Sequence, residues 1–137
     1  MSDANFTKWV KWAHIFENNE SKWPGVYLLG QYDTNPPQIV SASDEHVIYI
    51  GETCGQTIAQ RLRQFGKSGF EGKNGHSGGW TFADKFKVKD IPDWLYVSIL
   101  PIKTQDPAKS AEIRYLERRL IWKYVQKWEQ MPLCNKK

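Results

Sequence analysis

Cysteine is scarce in this chain: there are two, Cys54 and Cys134, far apart in the sequence. Their spacing matches no metal-binding or redox motif, and two isolated thiols read as reduced cysteines of a cytoplasmic protein. A disulfide-stapled framework and a cysteine-held zinc site are excluded. Long apolar runs are missing as well. Stretches such as Val47-Ile48-Tyr49-Ile50 fall far below the roughly 20 residues that span a bilayer. Lys8, Lys11 and Glu17 interrupt anything resembling the apolar region of a secretory leader. No membrane partner and no export are expected, and the acceptor-like Asn5-Phe6-Thr7 carries no meaning without export. There are no internal repeats and no low-complexity segments, and 137 residues make one domain with a core of its own.

What is present is aromatic and basic. Seven Trp, six Tyr and six Phe must fill that core or line a site. The charge is uneven. Residues 1–55 hold three basic and seven acidic side chains, net −4, whereas residues 56–137 hold sixteen and eight, net +8. A basic majority joined to an acidic minority points to one positive face and a polyanionic partner.

Phe6, Trp9, Val10, Ala13 and Phe16 recur at helical spacing, which predicts an amphipathic helix over 5–17. Val26 to Leu29 and His46 to Ile50 read as two strands of an antiparallel hairpin, the second ended by Gly51. Ile58, Leu62 and Phe65 place a helix over 56–65, and Trp94 to Ile102 a third strand. Pro107 opens a long helix reaching about Trp128. Residues 66–79, with six glycines beside Lys67, Lys73 and His76, read as a flexible basic loop. The expected fold is α+β: a small three-stranded antiparallel sheet flanked by helices, with an extra N-terminal helix. Residues 1–23 form the helical extension and residues 24–137 the domain.

Four side chains fit a core poorly. Glu117 lies within the apolar stripe of Ile113, Leu116, Leu120, Ile121 and Tyr124, where a carboxylate needs a bound cation or partner, or a pairing with Arg114 or Arg118. Arg61 shares the face of Ile58 and Phe65. Tyr27 follows Gly25 and Tyr49 precedes Gly51, each by two positions in a short strand, where backbone approaches a ligand closely.

Gly25-Val26-Tyr27 followed by Tyr49-Ile50-Gly51 resembles the strand pair that names the GIY-YIG nucleases. Ile58-Ala59-Gln60-Arg61-Leu62 is similar to that family's arginine helix. Leu116-Glu117 through Leu120-Ile121 is similar to its glutamate helix, and Pro132-Leu133-Cys134-Asn135 to its closing segment. The resemblance runs from residue 25 to 136 and implies a metal-dependent DNA endonuclease that uses one Mg²⁺ or Mn²⁺ per site. Glu117 would hold that metal, Arg61 the scissile phosphate, Tyr27 and Tyr49 would flank the attacking water, and Asn135 would close the site. The alternative is a catalytically inactive nucleic-acid-binding module of the same fold.

Three departures accompany the resemblance: Glu52 follows the second motif, the turn before the arginine helix is longer, and Phe65 stands where some relatives carry histidine. His76 is read as an exposed loop residue, and His14 and His46 as structural. DNA would be held by Arg63, Lys67, Lys73, Lys85, Lys87, Lys89 and Arg118, with Lys123 beside them. Six such contacts would weaken binding by about three orders of magnitude between 50 and 200 mM salt. Trp80 is read as a buried anchor, with base stacking as its alternative. No separate recognition domain fits, so selectivity would come from residues 66–93, a homodimer or an accessory protein.

Overall fold

The structure, a computed structural model, describes residues 5–136. It is α+β, with a four-stranded antiparallel sheet between two layers of helix. In chain order the elements are β1 (Val10–Lys11), α1 (Trp12–Ile15), a 3₁₀ turn (Asn19–Lys22), β2 (Gly25–Gln31), β3 (Val47–Thr53), α2 (Ile58–Glu71), α3 (Ser77–Phe86), β4 (Leu95–Pro101) and α4 (Ala108–Trp128). The strand order is β1-β4-β2-β3, so β2 is central and β3 forms one edge.

Successive side chains of a strand face opposite ways, and here both faces are covered. Val26, Leu28, Ile50 and Leu100 meet Ile113, Leu120, Ile121 and Tyr124 of α4. Tyr27, Leu29, Val97 and Ile99 meet Ile58, Leu62 and Phe65 of α2, together with Phe82 of α3. Burial on both sides explains why β2 is a nearly unbroken apolar run. A capping box starts α2: the Gln60 amide donates to Thr57 Oγ1 at 3.0 Å, and the Thr57 amide to Gln60 Oε1 at 2.9 Å. Among the described residues no helix is long and apolar enough to cross a membrane.

Three expectations need correction. The sheet has four strands, because the N-terminal segment is not a helix over 5–17 but lies extended along β4. The Thr7 amide donates to Ile99 O at 2.9 Å and the Ile99 amide to Thr7 Oγ1 at 3.0 Å. Val10 then pairs with Val97, and only Trp12–Ile15 is helical. The buried set is therefore Phe6, Trp9, Trp12 and Ile15, while Ala13 is exposed. The open edge of β4 offered hydrogen bonds that outweighed the helical periodicity.

The second strand does not stop at Gly51, which pairs with Tyr27. The glycine-rich stretch is not a loop: α2 continues to Glu71 and α3 follows from Ser77. Its glycines let two helices touch. A Cβ on Gly79 would stand 2.4 Å from the Phe65 carbonyl oxygen.

Candidate active site

The strand register builds the site. Tyr27 lies opposite Gly51, and Leu29 opposite Tyr49, so the two tyrosines are diagonal neighbours on the face toward α2 and α3. Their rings stand 6.0 Å apart, and a Cβ on Gly51 would come within 2.5 Å of the Tyr27 ring. The second motif ends in glycine because the first motif's tyrosine lies across it.

Tyr27 is fully buried and Tyr49 half-buried. The Tyr27 hydroxyl lies 2.9 Å from His76 Nε2, and the Gly78 amide donates to His76 Nδ1 at 2.8 Å. A backbone amide can only donate, so Nδ1 is the bare nitrogen of a neutral ring and the proton sits on Nε2. His76 therefore donates to Tyr27. Burial, with Arg61 adding to it, lowers the His76 pKa to about 3 and keeps the ring neutral. The Tyr27 hydroxyl, on a ring 6.0 Å from the Tyr49 ring, eases the Tyr49 proton off. Burial outweighs this and pushes Tyr49 up to about 12, with Arg61 opposing; Tyr27 is driven well above its ordinary 10 by burial and by Tyr49. The chain of donors runs from α3 to the Tyr27 hydroxyl, and Tyr49 stands beside it.

Tyr49 lines a cavity of about 320 Å³ at the β3 edge, with Ser77, Gly78, Thr81, Glu117, Cys134, Asn135 and Lys136. Glu117 reaches it from α4. Burial, then the nearby Glu52 carboxylate, raises its pKa from 4.5 to about 7, against the pull of Arg118. The Arg118 guanidinium is exposed and stands 3.9 Å away, too far for a hydrogen bond.

Asn135 ties the C-terminal segment to the edge strand. The Ile50 amide donates to Asn135 Oδ1, and Asn135 Nδ2 donates to Ile50 O, both at 2.9 Å. The Cys134 amide donates to Ile48 O at 2.7 Å. Asn135 thus closes the cavity by holding backbone.

Among the described residues no group of three or more His, Cys, Asp or Glu side chains could enclose a metal. A closed zinc-type site does not fit. Mg²⁺ does, since it takes one or two carboxylates and completes its shell with water and substrate phosphate. Glu117 supplies one, and Glu52 lies near enough to affect its charge.

The remaining expectations divide. Arg61 is half-buried and donates to Gln64 Oε1 at 2.8 Å; its charge acts on Tyr27, Tyr49 and His76, although it does not line the cavity. Lys85 lies beside the cavity, near Cys134. Lys136, which the sequence did not single out, lines it. Lys67, Lys87 and Lys89 are exposed and line neither this cavity nor its neighbour. Lys73 pairs with Glu71 at 3.4 Å, and Lys123 is half-buried.

Arg63, expected to hold DNA, stacks on the Phe16 ring at 4.7 Å, on the opposite side of α2 from Arg61, because the N-terminal segment covers that face. His76 is buried, not exposed, and Trp80 is 43% exposed, not a buried anchor. Both reversals follow from α3: its first turn buries His76 and its outer face presents Trp80. The spacing of Phe82 and Phe86 after a histidine at a helix start was the signal for that helix. Phe65 packs against Tyr49 and His76, so the ring on the arginine helix supports a histidine arriving from elsewhere. The chain matches no family model, no curated protein and no solved structure.

Proposed function

We propose that this chain is a divalent-metal-dependent DNA endonuclease of the GIY-YIG kind, cutting a phosphodiester bond in the cavity beside β3. The observation that carries this reading is convergence: Tyr49, backed by the hydrogen-bonded pair Tyr27 and His76, lines the same cavity into which the ill-placed Glu117 opens. A core that needed only packing would place an apolar residue at 117.

A Mg²⁺ or Mn²⁺ ion held by Glu117, with Glu52 beside it, would neutralise phosphate charge and stabilise the departing oxygen. Tyr49 orients the attacking water. The Tyr49 hydroxyl accepts the water's proton while handing its own to a phosphate oxygen. It stays neutral throughout, as a phenol at about pKa 12 must. The water oxygen bonds to phosphorus as the bond to the leaving oxygen breaks. Tyr27 and His76 back Tyr49, the Arg61 charge acts on all three from outside the cavity lining, and Asn135 holds the cavity's outer wall.

The test is supercoiled plasmid incubated with Mg²⁺ or Mn²⁺ and the wild type, beside Glu117→Gln purified identically. Nicking or linearisation by the wild type alone is the expected result. Equal cutting by both would remove Glu117 from the chemistry. No cutting, with DNA still retarded in a gel, would favour the inactive binding module.

A further inference from the structure

Ser77, Thr81 and Lys136 line the cavity beside Glu117 and also a second one, of about 490 Å³, completed by Trp80, Asp84 and Lys85. The two form a continuous groove along α3. Successive helical residues are about 100° apart. Ser77 and Thr81 therefore line the groove floor, Lys85 stands on the side nearer Cys134, and Trp80 lies across the floor from Lys85. Among the described residues no ring or cation stacks on Trp80. The exposed Trp23, by contrast, is covered by Lys103 at 5.2 Å.

We infer that this groove seats a single DNA strand leading away from the cutting site, with an unpaired base stacked on Trp80. The preferred substrate then carries an unpaired nucleotide beside the scissile phosphate. This rests on the endonuclease reading and adds the substrate's structure to it.

The chemistry of the walls selects that ligand. Lys85 and Lys136 supply positive charge and the Ser77 hydroxyl a donor along the side continuous with the cutting site, while the Thr81 hydroxyl donates to Ser77 O at 3.2 Å. The Asp84 carboxylate lies between this side and Trp80, where it repels phosphate and leaves only the neutral base to cross toward the indole. A base inside a duplex has both faces covered by its neighbours and presents only its edges. An indole face is therefore usable only by a base that has left the stack.

The experiment measures binding of the full chain, without metal, to three fluorescent oligonucleotides: a blunt duplex, the same duplex with an unpaired flap, and the single strand. The flap and the single strand should bind more tightly than the duplex. Trp80→Ala should weaken both by about five- to 150-fold, leave the duplex unchanged, and keep the salt dependence, since no charge is lost. Trp80→Phe should restore most of the loss, which separates stacking from damage to the fold. Equal binding of flap and duplex by the wild type, or equal weakening of both by Trp80→Ala, would overturn this inference while plasmid cleavage left the endonuclease reading standing. No binding to any of the three would overturn both.

Discussion

Glu117→Gln should stabilise the protein at neutral pH while removing the proposed cleavage. The Glu117 carboxyl has its pKa raised from 4.5 to about 7, chiefly by burial and then by Glu52. An acid whose folded pKa is raised favours the folded state at low pH, and that contribution drains away as pH rises from 4.5 to 7. At 1.36 kcal/mol per pKa unit, holding Glu117 ionised at pH 7.5 costs the fold about 3 kcal/mol. Glutamine keeps the shape and removes the charge. Unfolding entropy near 2.1 cal/mol/K per residue gives roughly 0.29 kcal/mol/K for 137 residues, so the variant should melt about 10 °C above the wild type. At pH 5 the folded carboxyl is already protonated, and the gap should shrink to about 3 °C. The assay is thermal melting of both proteins in EDTA across this pH range. Taking the difference between them cancels every group they share. A gap independent of pH, or a less stable variant at pH 7.5, would mean that Arg118 or solvent compensates the charge, and the case for a cation at Glu117 would fail.

His76 carries the opposite dependence: it is a base buried neutral, with its pKa lowered from 6.5 to about 3. The unfolded chain takes up its proton first, so stability should fall by about 2 kcal/mol, roughly 7 °C, from pH 7 to 5. His76→Asn should lose that slope in a melting series. Asn135→Ala deletes both hydrogen bonds to Ile50 and should cost about 1–3 kcal/mol, or roughly 3–10 °C. Full stability with abolished cleavage would instead place Asn135 on the substrate. Gly79→Ala puts a methyl 2.4 Å from the Phe65 carbonyl and should destabilise by about 1–3 kcal/mol in denaturant. Gly55→Ala, with nothing within 4 Å of the new Cβ, should change stability by less than about 1 kcal/mol.

Much of the architecture is legible from local pattern. The β2–β3 hairpin, the third strand at Leu95–Pro101, the arginine helix and the long helix from Ala108 all follow from periodicity and punctuation, because their neighbours in space confirm what their neighbours in sequence suggest. Glu117 was legible for another reason. A charge inside an apolar stripe is anomalous whatever the stripe packs against, and the cavity beside it accounts for the anomaly.

The failures share a cause. Residues 5–17 carry a helical period, yet the free hydrogen-bonding edge of β4, more than 80 residues away, draws Thr7 and Val10 into the sheet. The glycines of residues 66–79 look flexible in isolation, and become helix–helix contacts only because Phe65 approaches from a second helix. His76 acquires a fixed tautomer and a low pKa from Tyr27, Gly78 and burial, none of which its flanking sequence announces. Composition and spacing determined which segments bury an apolar face and which charged residue does not belong there. Only the tertiary structure decided that Tyr49, with Tyr27 and His76 behind it, meets the cavity. Hydrogen bonds and desolvation act across space, between groups that the chain's order leaves far apart.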